Sequence, residues 1–143
     1  MSHLNEKTLK KWFGTPSEGI PPVRNTPARQ TATTTATLTT AQIFGEVLDA
    51  QAGGSATRTL TTPTGTEISS AFSGRINVGD SFDLHVINSS TNGNDLVIMA
   101  GGTSITTIGD LDVEEMDAAG NVSAGVFRFR NTGVNTWDMM RIA

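Results

Sequence analysis

The chain has 143 residues, enough for one domain of modest size and too few for a second catalytic domain beside it. It contains no cysteine, which excludes a disulfide framework and a thiolate metal site. A formal net charge of −4 disfavours the phosphates of nucleic acid, and nothing approaches the ~20 apolar residues of a membrane-spanning helix, so neither nucleic acid nor membrane is an expected partner.

The charge changes sign along the chain. Residues 1–36 carry Lys7, Lys10, Lys11, Arg24 and Arg29 against Glu6 and Glu18, and Pro16, Pro21, Pro22 and Pro27 punctuate them. The residues after them are acidic, rich in Thr and Gly, and patterned like strands. An extended basic arm (1–36) joined to a compact body (37–143) reads as a tether plus a module, in which the arm's partner defines the function.

Within the arm, Asn5–Phe13 has the pattern of two helical turns, with Leu4, Leu9, Trp12 and Phe13 on one side and the three lysines elsewhere. That length is unstable alone in water and needs a surface for Trp12 and Phe13 to bury against. Gly14 and Pro16 end it, and the prolines then favour extended backbone. The start Met1–Lys7 lacks the apolar run of a signal peptide, so synthesis and retention in the cytosol, or assembly there, are expected. Thr31–Thr37 is a Thr/Ala run suited to a linker or an edge strand.

The body opens with a capping box. Thr39 with Gln42 begins a short helix, Leu38 and Ile43 form a hydrophobic staple, and Ile43, Phe44, Val47 and Leu48 are expected to face the core. Thr64 with Glu67 repeats the device, with Ile68 and Phe72 apolar and Gly74 as the stop. Strands are predicted over 56–62, 81–88, 96–100, 103–108, 111–116, 122–131 and 136–142. Ser81–Asn88 alternates, with Phe82, Leu84 and Val86 on one face and Ser81, Asp83 and His85 on the other. Leu96–Ala100 is apolar on both faces, as in a strand covered on both sides. Asn88–Asn94 and Asn131–Asn135 read as hairpin loops. The sum is an all-β, jelly-roll-like β-sandwich with two short helical insertions.

No constellation displaces a non-enzymatic reading. Asp110, Asp112 and Glu114 alternate beside Glu115 and Asp117, but the calcium-loop pattern is missing, and charges along a strand edge serve to keep other chains off it; neither metal nor cofactor is expected. His85 has no second histidine in the body and no thiol for a triad or zinc centre. Phe127 and Phe129 point to the core, while Arg128 and Arg130 pair with an acidic strand such as that of Asp138, or with another subunit, rather than gripping single-stranded nucleic acid. The Asn88 and Asn121 sequons are chance matches without a signal peptide.

The segments 38–44, 56–65, 78–88, 127–131 and 137–142 together resemble small β-sandwich virion proteins of tailed bacteriophages, the cement or decoration proteins and head-fibre modules that sit as trimers on a capsid. The likeness covers about Leu38–Ala143. It implies a homotrimer at the capsid surface, made in the host cytoplasm, with the major capsid protein as partner and no catalytic residues. Low apolar content (36%) makes self-association the expected route to a stable body. Leu9, Trp12, Phe13, Lys7, Lys10, Lys11, Arg24 and Arg29 are the expected capsid-binding residues. The alternative expectations are a virion-anchored receptor module using Asn88–Asn94 and Asn131–Asn135 for a host glycan, and a carbohydrate-active domain using the Asp110–Asp117 carboxylates.

Overall fold

A computed structural model describes residues 29–50, 57–90, 96–115 and 123–143. Lys7, Leu9, Lys10, Lys11, Trp12, Phe13 and Arg24, the expected helix over 5–13, the loop residues 91–94, Asp117 and Asn121 lie outside them.

In chain order the elements are β1 (Gln30–Ala32), β2 (Ala36–Thr37), α1 (Thr40–Phe44), β3 (Val47–Ala50), β4 (Arg58–Thr61), α2 (Gly65–Ala71), β5 (Ser81–Asn88), β6 (Val97–Ala100), β7 (Ile105–Ile108), β8 (Asp112–Val113), β9 (Ser123–Gly133) and β10 (Thr136–Arg141). Strands hold 49% of the described residues and helices 12%, so the chain is β-rich as expected. The strands form a six-stranded sheet ordered β1-β3-β5-β9-β10-β7 and a four-stranded sheet ordered β2-β4-β6-β8.

The chain alternates between the sheets from β1 to β8. β1/β2, β3/β4 and β5/β6 are three successive rungs, each giving one strand to each sheet, and equivalent strands of neighbouring rungs pair parallel. With β7 on β10, five of the eight pairings are parallel, whereas a jelly roll pairs its strands antiparallel; the pairing corrects that expectation. Parallel neighbours need a crossover, and here the crossover is the trip to the other sheet and back. For the same reason the connection after Asn88 is not a hairpin: β5 and β6 belong to different sheets. The β9–β10 connection is one, with Val134–Asn135 between the strands and Asn135 at φ 58°.

Both capping boxes form. Thr39 N donates to Gln42 Oε1 at 2.9 Å and Gln42 N to Thr39 Oγ1 at 3.2 Å. Thr64 N donates to Glu67 Oε2 at 2.8 Å and Glu67 N to Thr64 Oγ1 at 3.2 Å, and the bonds that Thr64 N and Oγ1 donate to the Glu67 carboxyl hold it below its ordinary range. The first helix ends at Phe44. Gly45 and the left-handed Glu46 (φ 66°) turn the chain, so Val47 and Leu48 belong to β3 and not to the helix.

One apolar cluster joins the layers. Leu48, Leu84, Val86, Phe127, Phe129, Trp137 and Met139 enter it from the larger sheet, Leu60, Val97, Met99 and Val113 from the smaller, and Ile43 and Ile68 from the helices. Phe44, Phe72 and Phe82 pack at its margin, where Phe72 stacks on Trp137 with centroids 5.8 Å apart and Trp137 Nε1 donates to Ser69 Oγ at 3.0 Å. In β6 the alternation is buried at Val97 and Met99 and half-buried at Ile98.

Candidate interaction site at the root of the arm

Arg29 is the expected site residue that falls among the described ones, and it lies directly before β1. Its Nη1 is 3.4 Å from Asp49 Oδ2; the arginine side chain is 62% exposed, the aspartate 5%. Ser89 Oγ donates to the other carboxylate oxygen, Oδ1, at 2.7 Å, so the buried charge has partners on both oxygens. Three further contacts tie down the same stretch. Gln30–Ala32 pairs parallel with Leu48–Ala50, Gln42 Nε2 donates to Thr31 O at 3.0 Å, and the Gln30 stem lies so close over Gly45 that a Cβ there would stand 2.6 Å from Gln30 Cγ. In the Thr/Ala run at the end of the expected arm, Gln30–Ala32 and Ala36–Thr37 are therefore edge strands of the two sheets, the edge-strand alternative for that run.

Beside this root lies a groove of about 500 Å³ lined by Ile43, Phe44, Glu46, Val47, Phe82, Asp83 and His85. Its origin is a mismatch of strand lengths. β3 pairs with His85–Ile87, whereas β9 pairs with the whole of Ser81–Asn88, so the first half of β5 has no described neighbour on the β3 side. His85 N donates to Glu46 O at 2.8 Å, which fixes which residues present their backbone groups on that side. By the two-residue period, Ser81 and Asp83 do so too, and Asp83 lines the groove. The walls are the half-buried rings of Phe44 and Phe82, 4.9 Å apart between centroids, and the half-buried Val47.

Charge at the rim is organised by Arg128. Its Nε donates to Asp83 Oδ1 at 2.8 Å and its Nη2 to Asp83 Oδ2 at 2.9 Å, a two-point pairing that matches guanidinium to carboxylate geometry. The hydrogen bonds from Arg128 hold the Asp83 carboxyl below its ordinary range, partly opposed by desolvation, and raise the arginine in turn. The arginines were expected to meet acidic strands such as that of Asp138. Arg128 instead meets Asp83 on β5, because β9 runs between β5 and β10; Arg130 stands in register with Asp138. Phe127 and Phe129 are fully buried, as expected. His85 is exposed on the groove rim.

The remaining candidates are not brought together. Asp112 N donates to Asp110 Oδ1 at 3.0 Å, closing a local turn, and the Asp112 carbonyl accepts from the Arg141 guanidinium. Among the described residues no group of three or more His, Asp or Glu is placed to hold a metal ion. Asn88 and Asn131, at the starts of the two expected binding loops, are buried; Asn88 Nδ2 donates to Val113 O at 3.1 Å, and Asn131 N to Asp80 O at 2.9 Å. Both bonds join separate elements of the body.

The sequence singles out neither Asp49 nor Glu46, and it places Ser89 in a loop without a partner. The contacts of Asp49 with Ser89 and Arg29 cross long sequence separations that no local pattern reveals. Asp83 was legible as an outward-facing residue of β5, though not its partner. No protein-family model, curated protein or solved structure matches this chain.

Proposed function

We propose that this is a non-enzymatic virion structural protein, a capsid cement protein whose body is a two-sheet sandwich that trimerises and whose arm binds the major capsid protein at the capsid surface after synthesis in the host cytoplasm. The observation that carries the reading is the pinned root. A basic, proline-punctuated segment leads into an edge strand held by Asp49, Gln42 and the β3 ladder, so load on the arm passes into the sheet rather than into a hinge. The resemblance of the body to phage decoration and head-fibre proteins supplies the partner. Three arms on one trimer engage many identical capsid sites at once, and avidity replaces one strong contact.

Co-sedimentation with undecorated capsids tests this. Trp12→Ala should weaken attachment most, by ~2 kcal/mol or more if the ring is a buried anchor. Neutralising Lys7, Lys10 and Lys11 should weaken it mainly at low salt, where exposed charges are least screened. Undiminished attachment of a chain lacking residues 1–28 would overturn the reading.

A further inference from the structure

We infer that the groove lined by Phe44, Val47, Phe82 and His85 is a docking site for the Leu9–Phe13 segment of the same chain. The groove is bordered by half-buried aromatic and aliphatic side chains and by the open half of β5, where Ser81 and Asp83 turn their backbone donors and acceptors outward. An occupant must therefore bring apolar surface and backbone N–H groups, the combination that strand-edge recognition uses.

Position selects the arm. β1 is parallel to β3 with Gln30 opposite Leu48, so Arg29 stands level with Val47. The chain preceding Arg29 arrives at the end of the sheet where the groove opens, two strand spacings from β5, or about 10 Å. Sixteen residues lie between Trp12 and Arg29 and reach up to about 60 Å when extended, so span is no obstacle. A tether of this kind gives an effective concentration on the order of millimolar, which favours the same chain over a second copy at micromolar protein.

Composition selects the segment. Residues 1–15 contain no proline, whereas 16–27 contain four, each lacking the N–H that Ser81 and Asp83 call for. Leu9, Trp12 and Phe13 are the large apolar residues of that proline-free stretch nearest to the root, and Lys7, Lys10 and Lys11 beside them meet a body that carries the chain's negative charge, with Glu46 at the rim beside the Asp83–Arg128 pair. The groove thus keeps the arm's apolar residues covered while no capsid is present.

The absence of cysteine makes the test direct. In the full-length protein, Lys10→Cys paired with the exposed His85→Cys should form a disulfide within one chain under mild oxidation at least about tenfold faster than Lys10→Cys paired with the exposed Thr106→Cys, which the same tether also reaches. Adding Trp12→Ala should reduce the first rate to the second. Equal rates at the two positions, an unchanged rate with Trp12→Ala, or a product that links two chains would each overturn the inference. It rests on the proposed arm only for the identity of the segment. Crosslinking is measured without capsid and attachment without cysteines, so either can fail while the other stands.

Discussion

Replacing Gly65 with alanine sets helix propensity against tertiary contact, and the outcome has a definite sign. Gly65 is the first residue of α2, and its backbone angles are ordinary, so propensity alone favours alanine there by up to about 1 kcal/mol. The tertiary structure opposes it. A Cβ would stand 2.1 Å from Asn135 O, 3.0 Å from Asn135 C and 3.0 Å from Ser104 O, all backbone atoms. Relief requires a shift of roughly 1 Å in the tip of the β9–β10 hairpin, where Asn135 already holds a left-handed conformation, and it pulls on Gly65 N→Thr103 O (2.9 Å) and Trp137 N→Ser104 O (3.1 Å). Overpacking of this kind costs about 1–3 kcal/mol. A clash this close with backbone atoms belongs at the upper end of that range, so after the propensity gain a net loss of about 2 kcal/mol is expected, which lowers a urea midpoint by about 1 M at a typical slope of about 2 kcal/mol per molar. The assay is urea unfolding at one fixed protein concentration, since self-association would move the midpoint. The neighbouring exposed Thr66→Ala serves as control and should stay within about 0.5 kcal/mol of wild type. A Gly65→Ala midpoint equal to or above that of wild type would refute the close approach of helix and hairpin.

Three further outcomes follow from the geometry. Because Arg128 depresses the Asp83 pKa, the pair's contribution is complete above the ordinary Asp value of about 3.9 and is lost as pH falls through the lower folded value; the midpoint gap between wild type and Asp83→Asn should therefore close between pH 5 and pH 2, and a gap constant with pH would count against the pair. Thr39→Ala and Thr64→Ala should each lower stability by about 1 kcal/mol in the same assay, with no change expected only if neither cap bonds its helix. Removing residues 1–28 should leave far-ultraviolet circular dichroism close to that of the intact chain and lower the melting temperature only by what the docked Leu9–Phe13 segment contributes, whereas removing 1–36 also deletes β1 and the buried Ala32 and should lower it measurably further; equal melting of the two truncations would place β1 outside the cooperative body.

What the sequence alone determined is what a few neighbouring residues settle among themselves. Thr39 with Gln42 and Thr64 with Glu67 announce their helices because the bonds of a capping box close over three residues. The alternations at Phe82, Leu84 and Val86 and at Phe127 and Phe129 announce buried faces because side chains of a strand alternate whatever the neighbouring strand is. Only the tertiary structure decided who those neighbours are. An isolated apolar run fits a parallel or an antiparallel ladder and either sheet, so sequence could not tell that β5 and β6 separate into different layers or that the rungs stack in parallel. Nor could it end the first helix at Phe44, since Val47 and Leu48 also suit a continued helical face until a left-handed Glu46 redirects them to a β5 strand that lies almost forty residues away. The partner of Arg29, Asp49, and the groove beside it arise from strands of unequal length meeting across the sheet, a property of the assembled ladder that no single segment contains.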